Sequence, residues 1–401
     1  MSTVSGIGTT FNLPNYHGEL IAITPTDTPL LAMSGGLSGG GSVTSPSFEW
    51  QTEDLRAPAM RPRLEGAAAP ASEERARANV ENVVQIFHES VETSYTKMAA
   101  TGQYATPSSE PFYSADGTAS PIADEHAHQV ANALKTIARD VNYTFWHSTL
   151  VKPTTNSTAR QTAGLLSVIT TNRTAVGEVT GLSAATDTVT ESSTAVADGD
   201  RVVFTSVGAS TTLRLDTAYY VVGKSTNAFK VSLTSGGAAV TIGTATVAYI
   251  PADNTFANVD AFEAILQGIF DNGGISETET ATLFASSRQR RMLSALYADA
   301  YAGATSVAGV GRTVGGVAVD TIVTNFGTLN VKTERALPPD AIAVVSLEQV
   351  KPVFLSISNK GVLFEEELAL AGASKKSQIY GEIGLQYGSE LAHGVVRGLA
   401  V

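Results

Sequence analysis

The chain has 401 residues, 43% of them hydrophobic and only 16% charged, with 36 Gly, 47 Thr, no Cys and a formal charge of -12. That length exceeds what one hydrophobic core sustains, so two or three domains are expected. The lack of cysteine excludes disulfide scaffolds, thiolate metal sites and cysteine nucleophiles, and the acidic balance argues against a grip on nucleic-acid phosphates. No run of about 18 apolar residues occurs and Met1 to Thr10 lacks the features of a signal peptide, so a soluble, cytoplasmic chain with no membrane contact is expected.

In chain order, the first 47 residues show no sustained period and are punctuated by Pro14, Pro25, Pro29 and Pro46 and by a Gly/Ser tract from Ser34 to Ser42. They read as an extended arm, disordered in an isolated monomer and held down by a neighbour. Residues 48–97 read as one long charged hairpin of about twenty residues per arm, reaching roughly 60 Å and therefore lying on something else. Its returning arm places Val84, Ile86 and His88 on one face and Val83, Gln85 and Phe87 on the other. Ile122, His126, Val130, Leu134, Ile137, Val141 and Phe145 recur at helical spacing from a cap near Asp124 to Trp146, which predicts the longest helix.

Residues 172–252 form a compositional island; with its edges extended to 170 and 255 it holds 18 of the 47 Thr. Short β-rich runs alternate there with Gly, Asp, Asn and Ser turns, predicting an all-β insertion, a small barrel or sandwich. Beyond it the pattern predicts helices over 258–271 and 287–298, a strand at ATLFAS between them, and strands at 314–325, 327–335, 341–346, 362–368, 378–387 and 392–399. The scaffold is thus α+β.

Catalytic patterns lack their context. Gly36-Leu37-Ser38-Gly39-Gly40 matches G-x-S-x-G without the strand and helix that must flank the serine, and Ser94 to Lys97 matches S-x-x-K without companion motifs. His126 and His128 lie about 200° apart on a helix and cannot share an ion with Asp124 and Glu125. Gly309-Val310-Gly311-Arg312 cradles no phosphate. What stands out is charge: five basic residues of the hairpin, Arg56, Arg61, Arg63, Arg75 and Arg77, are all Arg rather than Lys and are interleaved with Glu53, Asp54, Glu65, Glu73 and Glu74. Guanidinium forks hold carboxylates bidentately, so this hairpin reads as an inter-subunit docking element. The run Glu365-Glu366-Glu367 reads as a solvated face or a surface awaiting arginine.

An arm, a charged hairpin, a spine helix and a mixed remainder follow the order of the tailed-phage major capsid fold, the Hong Kong 97-type fold. The strings TDTPLLAMSGG, FEWQTEDLRAP, NVVQIFHESVETSYTKMA, ALKTIARDVNYTFW and TNFGTLNVKTERALPPDAIAVVS resemble the SU-ten-like major head protein family. One departure is Asn142, where the family pattern leads one to expect an acidic residue. The resemblance implies a major capsid protein, not an enzyme, with an N-terminal arm over 1–45, an extended loop over 46–98, a peripheral domain over 99–155 and 346–401, an axial domain over 156–171 and 253–345, and an exterior insertion domain over 172–252. Val130, Leu134, Ile137, Val141 and Phe145 become the spine-helix core. No cofactor or metal is implied. Copies form the hexamers and pentamers of an icosahedral shell, assembled in the host cytoplasm, that encloses double-stranded DNA without specific binding.

Separate scaffold, portal and decoration proteins are the further partners, and a chain starting at Met1 with its arm leads one to expect no maturation cleavage. Residues 46–96 contain no lysine, so a Lys–Asn crosslinked shell is not expected. The competing readings are a tail or fibre protein, suggested by the Thr-rich island, and a soluble enzyme with an unrecognised site.

Overall fold

A computed structural model describes residues 24–53, 58–70, 77–99, 125–175, 179–185, 187–192, 196–215, 217–252, 259–273, 275, 281–304, 321–369 and 372–401. Along the chain run α1 (Pro29–Ser34), β1 (Gly41–Val43), β2 (Ser47–Glu53), β3 (Arg77–Val83), β4 (Gln85–Ser94), α2 (Tyr95–Ala99) and α3 (Glu125–His147). After α4 (Leu165–Val168) come β5 (Arg173–Ala175), β6 (Val179–Ala185), β7 (Thr188–Thr190), β8 (Arg201–Ser206), β9 (Ala218–Ser225), β10 (Ala228–Ser232) and β11 (Ala245–Pro251). The remainder holds α5 (Val259–Asp271), β12 (Thr282–Ala285), α6 (Ser287–Ala304), β13 (Thr321–Thr324), β14 (Gly327–Thr333), β15 (Ile342–Val345), β16 (Lys351–Leu355), β17 (Leu363–Glu367), β18 (Ser374–Gln386) and β19 (Gly394–Arg397). Two units form: a larger one from Asp27–Ile86, Arg139–Val362 and Glu382–Val401, and a smaller one from the described parts of Met1–Thr26, Phe87–Ala138 and Leu363–Gly381.

In the larger unit six strands run in the order β13-β14-β12-β15-β19-β5. β12 is buried at every position because it is central, parallel to β14 and antiparallel to β15. The amphipathic helices α5 and α6 pack Phe262, Leu266, Ile269, Leu293 and Tyr297 into one core with Leu283, Leu329, Val331 and Ile342 of the sheet. Burying such a face stabilises by about 25 cal/mol per Å² of apolar surface.

The Thr-rich island closes into a barrel of order β10-β7-β6-β11-β8-β9. Its interior is filled by alternate residues, among them Val202, Phe204, Tyr219, Val221, Phe229, Val231, Val247 and Tyr249. Ring pairs Phe204–Tyr219 and Phe229–Tyr249 meet edge-on at 5.6 and 5.2 Å. The Tyr249 hydroxyl donates to Glu191 Oε2 at 2.8 Å, and burial together with that carboxylate pushes its pKa up. Both ends of the barrel segment are tied to the C-terminal residues of the chain. Val395 N donates to Asn172 O at 2.9 Å, and Val401 N to Ala252 O at 3.1 Å.

Several expectations change. The arm is not structureless: Pro29 starts α1 with a preset φ, and Gly35 ends it at φ +130°, where a Cβ would run into Gly39 O. The Gly/Ser tract then pairs within its own chain, Gly41–Val43 lying parallel to Val353–Leu355. The hairpin is shorter than predicted, with Ser47–Glu53 paired to Arg77–Val83. Past Val84 the returning arm changes partner, and β4 pairs with β18. α6 runs on to Ala304 and β18 starts four residues early, at Ser374. Of the strand expected over 314–325, Thr321–Thr324 is seen; residues 314–320 lie outside the described residues.

Candidate assembly interface

The base of the hairpin is fixed by aromatic and amide side chains. Trp50 Nε1 donates to Gly388 O at 2.8 Å and its ring stands edge-on to Tyr387 at 4.8 Å. Phe48 packs over Gly384, where a Cβ would lie 2.8 Å from the ring; only glycine admits that approach. Asn82 is fully buried, with Nδ2 donating to Leu385 O at 2.6 Å and Oδ1 accepting from Ala163 N at 2.8 Å. Such satisfied buried amides hold one register against slip.

Beyond this base the chain leaves its own surface. Every residue from 58 to 70 is exposed, with Met60 98% and Leu64 85% accessible. Arg61 and Arg63 sit in this tip, where Arg63 Nη1 donates to Ala68 O at 3.2 Å. Arg77 opens β3 in register with Glu53 and donates to Gln51 Oε1 at 3.3 Å. Arg56, Asp54, Glu73, Glu74 and Arg75 lie outside the described residues.

Of the five residues expected in the spine-helix core, Ile137, Val141 and Phe145 are buried, Val130 is half-buried and Leu134 is 36% exposed. Leu134 is thus no core residue of the single chain. The buried end of α3 also receives the arm. Asn142 Oδ1 accepts Leu31 N at 3.0 Å, while Asn142 Nδ2 donates to Glu334 Oε1 at 3.1 Å. Glu334, 1% exposed, further accepts Leu30 N at 3.2 Å and Ala336 N at 3.0 Å. The first turn of a helix has unpaired N–H groups; here a side chain of α3 and a distant carboxylate satisfy them and seat Leu30 and Leu31 in the core. Nearby, Arg397 grips Asp340 bidentately at 2.9 and 3.1 Å, both buried.

The motifs that mimic catalysis have structural duties. Ser38 follows a helix and precedes a strand, the reverse of what a nucleophile turn needs. Ser94 Oγ accepts Lys97 N at 3.2 Å, capping α2. His126 is buried between Thr93 and Ser377, with Glu365 Oε1 at 3.8 Å, while His128 bonds Asn132 at 2.9 Å. His393 accepts Ser346 N at Nδ1 and donates from Nε2 to Tyr387 O. His147 bonds Ala336 O, and burial lowers its pKa to about 4. Gly309 to Arg312 lie outside the described residues.

Known proteins place this arrangement. The chain shares 10% identity with the capsid asymmetric unit of cyanophage A-1(L), over 98% of each chain and with a TM-score of 0.56, which establishes a common fold. Other similar structures are the capsid of the myovirus phage XM1 (10% identity, 96% of this chain and 97% of that one, TM-score 0.48) and that of cyanophage P-SCSP1u (10%, 98% and 95%, 0.48). No curated protein matches the chain. The profile described as SU10 major capsid protein matches residues 3–400. The chain therefore belongs to the SU10 major capsid protein family, and it is a structural protein of a tailed-phage head, not an enzyme.

Proposed function

We propose that copies of this chain assemble as hexamers and pentamers into an icosahedral shell around double-stranded DNA, with residues 46–98 reaching across a neighbouring copy. The observation that carries this reading is the tip at 58–70, whose Met60 and Leu64 are 98% and 85% exposed in a single chain. Apolar side chains on a projecting segment favour a covered state. The arm at 1–45, the peripheral domain over 99–155 and 346–401, the axial domain over 156–171 and 253–345, and the exterior insertion over 172–252 complete the division of labour. The charge of -12 suits a container that repels its cargo and lets it slide. Separate scaffold, portal and decoration proteins act with it, and assembly takes place in the host cytoplasm.

Electron microscopy of the purified protein tests this. Closed shells or hexameric rings are expected, and their conversion to small soluble species by Arg61→Glu with Arg63→Glu. Rods would point to a fibre protein, and compact monomers that never associate would overturn the reading.

A further inference from the structure

The barrel and the sheet that carries it enclose a cavity of about 470 Å³ within one copy of the chain, a volume that suits a small organic molecule. One wall belongs to the scaffold. Val395 of β19 pairs with Arg173 of β5, and matched residues of a parallel pair point to the same face. Arg397, two residues beyond Val395, therefore shares that face with Arg173. Both arginines line the cavity, together with His147 from the end of α3. The facing wall is the outside of the barrel. Val247 and Tyr249 of β11 fill the barrel interior, so Thr246 alternates outward, and it lines the cavity with Thr180 of β6 and Thr205 of β8.

The charge of this cavity runs against that of the chain. Acidic residues outnumber basic ones by 38 to 26, yet no Asp or Glu is among the described residues that line it. His147 is neutral near pH 7, since burial lowers its pKa to about 4, so the guanidinium groups set the sign of the site. Arg397, 6% exposed, gives Nε and Nη2 to Asp340, while its Nη1 makes no hydrogen bond among the described residues. On the barrel wall, Thr205 Oγ1 is buried with no hydrogen-bond partner, and a group of that kind calls for one.

Guanidinium groups favour oxyanions. A planar carboxylate offers two oxygens in one plane, whereas a phosphate monoester offers three arranged around a tetrahedron, enough to reach two guanidinium groups and a hydroxyl on different walls. Phosphate alone would fill little of the space, and a threonine-rich wall suits a ligand that brings hydroxyls of its own.

We infer that the cavity binds a small polyol phosphate, its phosphoryl oxygens on Arg173 and Arg397 Nη1 and its hydroxyls on Thr180, Thr205 and Thr246. Such a ligand touches scaffold and barrel at once and so fastens one to the other.

Both walls belong to one copy, so the test runs on the purified full chain whether or not it assembles. Calorimetric titration should show one saturable site per chain for sorbitol phosphate. Inorganic phosphate and gluconate should each bind at least about tenfold more weakly, and sorbitol not at all. The thermal unfolding midpoint should rise with sorbitol phosphate concentration, as for any ligand that binds only the folded state. Arg173→Gln should weaken binding at least about tenfold. Thr246→Tyr, at an exposed position, fills the space without touching a charge and should abolish binding while the ligand-free chain unfolds at its usual midpoint. Absence of a saturable site, binding that survives either substitution, or equal affinity for inorganic phosphate or gluconate overturns the inference.

Discussion

Asn142 Nδ2 lies 3.1 Å from Glu334 Oε1, an amide donating to a carboxylate that water does not reach. The same amide oxygen accepts Leu31 N, so one residue ties the arm to α3 and to Glu334. An acid at position 142 would keep the second bond but set two carboxylates against each other. Asn142→Asp is therefore expected to destabilise the chain by about 3–5 kcal/mol, the cost of an uncompensated buried charge. Thermal unfolding measures it, and a change of under about 0.5 kcal/mol would contradict the assigned role.

His147 supplies a pH dependence. Burial lowers its pKa from 6.5 to about 4, against the opposing hydrogen bond to Ala336 O. Because the folded pKa lies below the unfolded one, the unfolded chain binds more protons below pH 6.5, and stability is lost as pH falls from about 6.5 to about 4. The loss reaches about 3 kcal/mol at the acid end. His147→Gln keeps a side-chain donor and removes the titration, so denaturant midpoints at pH 7 and pH 4.5 should lie closer together in the variant.

The Arg397–Asp340 pair, bidentate and buried, predicts strong asymmetry. Arg397→Met alone leaves the Asp340 carboxylate with little beyond Gly398 N and should cost about 3–5 kcal/mol, whereas Arg397→Met with Asp340→Leu should cost clearly less. Additive single effects in a double-mutant cycle would show that the two side chains act independently.

Gly40 touches the backbone of β16: a Cβ there would lie 2.1 Å from Pro352 O. Gly40→Ala should push β1 off its parallel partner while leaving the remaining sheet intact. Hydrogen exchange should then rise in residues 41–43 by one to two orders of magnitude, as local opening becomes easier by about 1–3 kcal/mol.

The longest helix was legible because its apolar period persists over six turns, and the barrel because its turn residues recur between β-branched runs. The hairpin was misjudged for a physical reason. Residues 78–95 keep one β-branched and aromatic character on both sides of Val84, and such composition tells that a segment is a strand but not which strand is its partner. α1 escaped notice because six residues are too few to show a helical period. Glu334 could not be singled out at all, since its partners Leu30 and Asn142 lie 304 and 192 residues away in sequence. Asn142, which looked like a loss of charge against the family pattern, is instead what lets that carboxylate stay buried.

The barrel leaves and rejoins the scaffold at residues held by one C-terminal segment, Asn172 by Val395 and Ala252 by Val401. A detour that departs and returns at a common anchor imposes little geometry on what lies between. Such an arrangement lets the whole barrel change size with little strain on the sheet that carries it, and it marks the same junction as the place to splice in a foreign domain whose ends lie side by side.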